Sequence, residues 1–210
     1  MRSEQHSNLD LAGFLDVFNE TWNFVIRTET ICRRMIVGLR GVAVSQAKAF
    51  LQTMHQTRIS QSAKSVEEEQ WSAADVPPDA QALVNVIVDS AVRDSPELIV
   101  PQPSPPPHSS QANGTHSQPS AKHLIIEDRR YFAVSATLSM FGLLADYLKI
   151  IVNLSLLTTD VVGRVIEFLK AFNSRTCQVV LGAGAMRSAG LKNITAKHLG
   201  ELYHPASTVQ

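Results

Sequence analysis

Apolar side chains recur at helical spacing along the first quarter of the chain. Phe18, Trp22, Val25, Cys32, Ile36 and Leu39 fall four, three, seven, four and three residues apart, which places them on one helix face. Ala43, Ala47, Phe50 and Met54 repeat a four-three-four spacing. Gly38 and Gly41 sit between the two runs and predict a bend or break there. Glu67, Glu68 and Glu69 read as a solvated face. Val76-Pro77-Pro78-Asp79 ends this stretch and opens a short new helix. A residue before proline is pushed out of the α region, and proline or aspartate suits a first turn. Leu83, Val86 and Ile87, with Val84, make its apolar stripe, and Ser95-Pro96 closes it.

A strand signal comes later. Leu124-Ile125-Ile126 leads through the polar run Glu127-Asp128-Arg129-Arg130 to Tyr131-Phe132-Ala133-Val134. Two short apolar runs about a polar turn predict a hairpin, and Leu98-Ile99-Val100 offers a third strand. An isolated hairpin is marginal, so it must pack on helices. The helical period then returns with Val134, Leu138, Phe141, Leu144, Leu148 and Ile151 on one stripe. Thr158-Thr159-Asp160 caps the next helix, whose core face is Val162, Val165, Ile166, Leu169 and Phe172. Asn173-Ser174 is a break with a fresh cap, and Ser174 to about Met186 reads as a further helix. Thr195 caps a last one, Ala196 to Leu202.

Between the two halves, Pro101–Ala121 holds six of the ten prolines and no charge. It also lacks Val, Ile, Leu, Met, Phe, Tyr, Trp and Cys. Such a segment buries too little apolar surface to offset the entropy of ordering. It reads as a disordered, partly polyproline linker, with Ser104-Pro105-Pro106-Pro107 as a weak candidate for a proline-reading domain. The organisation expected is long helices over 1–76, a short helix and a strand over 77–100, and the linker over 101–121. A hairpin with a C-terminal helical bundle follows over 122–203, then a tail over 204–210. The fold class is mainly α, with a small β-hairpin.

Could the chain span a membrane? The longest charge-free run from Tyr131 spans 15 residues and ends at Ala145, before Asp146 and Lys149 interrupt. A spanning helix needs roughly 18 to 20. The stretch therefore reads as a nearly buried helix of a soluble bundle, with a membrane span as the remote alternative.

Composition narrows the function classes. The 210 residues carry 19 Lys+Arg against 19 Asp+Glu, for a net charge of zero. That balance argues against a nucleic-acid surface and a polybasic anchor. Cys32 and Cys177 are too few for a disulfide framework or a structural zinc site. The start MRSEQHSNLD has no apolar core behind Arg2, so no signal peptide is expected and the thiols are expected to be reduced.

One motif invites a chemical reading. Cys177-Gln178-Val179-Val180-Leu181-Gly182-Ala183-Gly184-Ala185 looks like a strand running into GxG, the opening of a dinucleotide loop. Arg187 occupies the place of the third glycine, and Glu201 lies in a helical context with no second parallel strand. The competing reading is that Gly182 and Gly184 let two helices approach closely. The seven histidines, His6, His55, His108, His116, His123, His198 and His204, form no HExxH pair. GxSxG and GxxxxGK[ST] are absent as well. Cys177 reads as a small buried thiol and Asp146 with Lys149 as a surface pair. The residues thus give no catalytic, cofactor-binding or metal-ligating set. The expectation is a non-enzyme without cofactor or small-molecule substrate; the rival is a nucleotide-binding enzyme using Gly182 and Gly184.

Several stretches resemble one family. They are Glu69-Gln70-Trp71-Ser72-Ala73-Ala74-Asp75-Val76-Pro77, Leu124-Ile125-Ile126-Glu127 and Leu157-Thr158-Thr159-Asp160. The densest runs from Phe168 through Phe172-Asn173-Ser174-Arg175-Thr176-Cys177 to Met186, and Gly190-Leu191-Lys192-Asn193-Ile194-Thr195 continues it. Trp22-Asn23-Phe24-Val25 and Gly38-Leu39-Arg40-Gly41 are similar too. Together they resemble the family of vacuolar protein sorting-associated protein fifty-four, a subunit of the Golgi-associated retrograde protein (GARP) complex, over roughly residues 18 to 200. The resemblance implies an elongated helical bundle of the multisubunit tethering-complex type. It implies capture of endosome-derived carriers at the trans-Golgi network, peripherally on the cytosolic face. The implied partners are other GARP subunits, syntaxin-class SNAREs and vesicle membranes. The family's N-terminal assembly coiled coil has no counterpart in these residues, which therefore look like a central to C-terminal fragment.

Overall fold

The computed structural model describes residues 4–101 and 120–181. Among these residues, five α-helices and one small sheet make up the fold. They are α1 (Leu11–Cys32), α2 (Val37–Glu67), α3 (Pro78–Asp89), β1 (Leu124–Ile126), β2 (Arg129–Tyr131), α4 (Ser135–Asn153) and α5 (Thr158–Leu181). The fold is mainly α with a small hairpin, as the spacing of apolar residues predicts.

α1 begins where the Asp10 side chain accepts the Gly13 N–H at 3.0 Å, and ends where Arg33 turns left-handed at φ 51°. The helix break therefore falls at Arg33–Ile36, ahead of the glycines, and Gly38 and Gly41 lie inside α2. Its cause is the Glu29 carboxylate, which accepts the Ile36 N–H at 2.7 Å and grips Arg40 at 2.6 Å. The Arg40 guanidinium in turn lies 5.4 Å from the centre of the Trp22 ring. Cys32 and Leu39, expected on the buried face, are exposed as a result.

α1 and α2 pack with α4 and α5 around one principal core. Phe14, Phe18, Phe50, Leu51, Tyr147, Ile150, Leu154, Leu157, Val161 and Phe168 fill it, and Ala43 and Ala47 let the backbones approach. Phe14 stacks on Phe50 with ring centres 4.2 Å apart. The Ala43–Ala47–Phe50 stripe of α2 is thus core, with Met54 half-buried at its edge. On α4 the deepest positions are Ala136, Ala145, Tyr147 and Ile150, whereas Leu138 and Phe141 lean towards the hairpin. α4 is the one described helix long and apolar enough to cross a membrane. Only one of its faces is buried, less than the sequence leads one to expect, and it packs on α2, α3 and α5.

α5 runs unbroken through Asn173-Ser174. Its buried row is Val161, Phe168, Thr176 and Val180, with Val165 and Phe172 half-buried. Val162, Ile166 and Leu169 face outward instead, one position round from the core row. A helix apolar on two faces leaves its inner face ambiguous to periodicity alone.

The hairpin pairs Leu124 with Tyr131 and Ile126 with Arg129. Its turn is two residues, Glu127-Asp128, both with positive φ (48° and 64°). Arg129 and Arg130 therefore belong to β2 rather than to the turn. Single bridges join Ala74 to Ala133 and Val76 to Ala121, so Ala121 belongs to the fold and not to the linker. α3 packs here through Val84, flanked by Ala80 and Val88. The third strand does not form: Pro96–Leu98 is a single 3-10 turn. Asn153 takes up the polar groups there, accepting the Val100 N–H at 3.0 Å and donating to the Leu98 carbonyl at 2.9 Å.

Candidate interaction surfaces

Glu69 overturns the reading of Glu67–Glu69 as a solvated run. It is 5% exposed. Its Oε1 accepts the Gln70 and Trp71 N–H groups at 2.9 and 3.2 Å, and its Oε2 accepts the Ala136 N–H at 2.5 Å. One carboxylate thus ties the end of α2 to the first turn of α4, where the helix dipole favours negative charge. Glu67 and Glu68 stay exposed, and Glu67 pairs with Arg175 of α5.

A second polar cluster is threaded through the core. The His55 ring of α2 lies with Nδ1 2.8 Å from the Tyr147 hydroxyl of α4 and Nε2 3.2 Å from Glu167 of α5. Arg164 completes the cluster, donating to Glu167 at 2.7 Å and to Gln52 at 2.7 Å. The Glu167 carboxylate can only accept, so Nε2 carries the hydrogen and Nδ1 accepts from Tyr147. Burial, with the Arg164 charge beside it, holds the His55 pKa below the ordinary histidine range, against the opposing pull of Glu167. Burial likewise pushes the Tyr147 phenol up, so it keeps its proton. Tyr147 is fully buried, so this geometry joins three helices rather than meeting a ligand.

An open cleft between the start of α1, α2 and α4 has a volume of about 420 Å³ and is lined by Asp10, Phe50, Met54, Arg58, Asp146 and Lys149. Asp146 already neutralises its cations, at 2.8 Å from Arg58 and 3.8 Å from Lys149. Among the described residues no group of His, Cys, Asp and Glu is arranged to hold a metal.

The expected glycine loop fares differently in its parts. Val179 and Val180 are helical, and Val180 is buried with Val66, Trp71 and Val134. The strand that a dinucleotide loop requires is therefore not there. Gly182, Gly184 and Glu201 lie outside the described residues, as do the linker from 102 to 119 and the last expected helix. Cys177, expected to be buried, is exposed on α5.

What the fold does present is an uncovered apolar row. Val162, Ile166 and Leu169 stand four and three residues apart on the outer side of α5 and are 46%, 48% and 39% exposed. Val152 and Leu156, at the α4–α5 junction, are also exposed.

Comparison with known proteins gives this surface a context. Residues 128–203 match the family described as Vps54-like protein. The mouse protein named vacuolar protein sorting-associated protein 54 is 34% identical over 196 residues, which is 89% of this chain and 19% of the mouse protein. The rat protein of that name is 33% identical over 196 residues, with the same shares of 89% and 19%. The human one is 34% identical over 176 residues, 84% of this chain and 17% of the human protein. The chain thus spans about a fifth of the length of these relatives. No solved structure matches it. The matched segment takes in β2, α4 and α5, and the chain is similar to members of the Vps54-like protein family.

Proposed function

We propose that this chain is a part of a non-enzymatic subunit of the GARP vesicle-tethering complex. The complex acts in retrograde transport from endosomes to the trans-Golgi network. Its partners are other GARP subunits and syntaxin-class SNAREs, and it is peripheral on the cytosolic face of trans-Golgi and endosomal membranes. The observation that carries this reading is the outward row Val162, Ile166 and Leu169 on a family-matched helix. Apolar side chains left in solvent on a helix whose opposite face is fully packed suit a protein partner. Tyr147 is fully buried and holds a structural bond to His55.

The test is recruitment. A tagged chain expressed in cells should concentrate at a trans-Golgi marker and recover GARP subunits, with weak recovery where assembly runs through a coiled coil outside these residues. Val162→Asp with Ile166→Asp should abolish both without lowering the melting temperature. A diffuse distribution with no subunit recovered would overturn the reading. Calorimetry with NAD and S-adenosylmethionine separates it from the enzyme alternative: micromolar binding lost in Gly184→Val would favour that rival.

A further inference from the structure

The corner between α1 and α2 carries large apolar side chains that the fold leaves bare. Ile31 is 82% exposed, Val37 70% and Met35 68%. They lie within seven residues of one another, so they form one apex rather than scattered surface positions. Around them stand Arg27, Arg33 and Arg34, all exposed and none in an ion pair among the described residues. From Arg27 to Arg40 the chain holds four arginines and a single carboxylate, Glu29, which Arg40 already occupies. The whole-chain charge balance conceals this local excess.

The apex is built, not frayed. Glu29 fixes Ile36 and Arg40, and the left-handed Arg33 sends its N–H back to the Glu29 carbonyl. It also stands off the principal core: Ala43, six residues or about 9 Å of helix after Val37, is the first residue of α2 buried in it. A folded protein partner needs a broad matched face. A convex apex of bare aliphatic side chains ringed by guanidinium groups matches a lipid interface instead. There the apolar chains enter between headgroups and the cations stay level with the phosphates.

We propose that the α1–α2 corner is a membrane-contacting tip that inserts Ile31, Met35 and Val37 into anionic bilayers while Arg27, Arg33 and Arg34 pair with lipid phosphates. This names a surface for the membrane contact in the tethering reading, yet it rests on the corner alone and needs no other subunit.

Purified 210-residue chain is sedimented with vesicles of phosphatidylcholine and with vesicles of phosphatidylcholine mixed with phosphatidylserine. Binding is expected to the mixed vesicles, weak on phosphatidylcholine alone and lost in high salt. Arg33→Glu with Arg34→Glu should weaken it about tenfold or more. Ile31→Asp with Met35→Asp should weaken it at unchanged charge on the arginines. Cys32 sits at the apex, so an environment-sensitive fluorophore on it, in a Cys177→Ser chain, reports insertion without altering the tip's arginines. Its emission should shift to the blue on mixed vesicles. No binding, equal binding to both vesicles, or full binding by the arginine variant would overturn the proposal. So would variants that keep vesicle binding but lose a purified GARP subunit, which would mark a protein interface. Failed recruitment in cells with intact vesicle binding would count against the tethering reading only.

Discussion

Nδ1 of His55 lies 2.8 Å from the Tyr147 hydroxyl, joining α2 to α4 across 92 residues of sequence. Tyr147→Phe leaves the imidazole acceptor buried and unsatisfied, a loss of about 1–3 kcal/mol. Urea unfolding should show a lower midpoint at unchanged slope.

The same histidine makes stability depend on pH. Burial first, then Arg164, favours the neutral ring in the fold. Arg58 of α2 and Asp146 of α4, on the same helices as the pair, also act on the Tyr147 hydroxyl. The unfolded chain takes its proton near the ordinary histidine value of about 6.5, and the folded chain takes it only at lower pH. Stability from this site is therefore complete above that value and falls as the pH drops through the window beneath it. Glu167, held below the ordinary carboxylate range chiefly by its hydrogen bond from Arg164, adds its own loss only at more acidic pH. Urea midpoints between pH of about 7.5 and 5 should decline in the native chain and flatten in His55→Gln.

Glu69 predicts a large effect from a residue that reads as surface. Glu69→Ala strips acceptors from three backbone N–H groups, two of them on buried residues, and should cost about 3 kcal/mol. Glu69→Gln keeps the shape and one oxygen and should lose less. Thermal melts of the two variants, compared with Glu68→Ala as the neutral control, check this.

α5 offers a contrast between neighbours. Phe168→Ala removes a fully buried ring and should destabilise by about 3–5 kcal/mol. Ile166→Asp, two residues away and half exposed, should change stability by less than about 0.5 kcal/mol. Equal losses in calorimetry would mean that the outer face of α5 is covered.

Glu127 and Asp128 both hold left-handed backbone, which glutamate disfavours and aspartate adopts less readily than glycine. Replacing the pair with Asn-Gly should raise stability by about 1 kcal/mol, read as a higher melting temperature with the hairpin register kept.

How far these features could be read from sequence follows from their range. Ala43, Ala47 and Phe50 were legible because their four- and three-residue spacing keeps them on one face of α2. The hairpin was legible from its two apolar runs, although the turn was placed two residues too long. Val162, Ile166 and Leu169 misled because α5 is apolar on both sides, and only α2 and α4 decide which side is inner. Glu69, His55 and Tyr147 carry no local signal: each matters through a partner between 67 and 112 residues away, and no spacing rule reports that distance. The family resemblance was legible because it rests on residue identity rather than on packing.

Val100 is held by Asn153 and Ala121 by Val76, so the proline-rich stretch leaves and rejoins the protein at two fastened points. Two ends held in this way fix the distance that any connection must span, and its length matters little to the fold: each doubling of a flexible loop adds only about 0.6 kcal/mol of closure entropy.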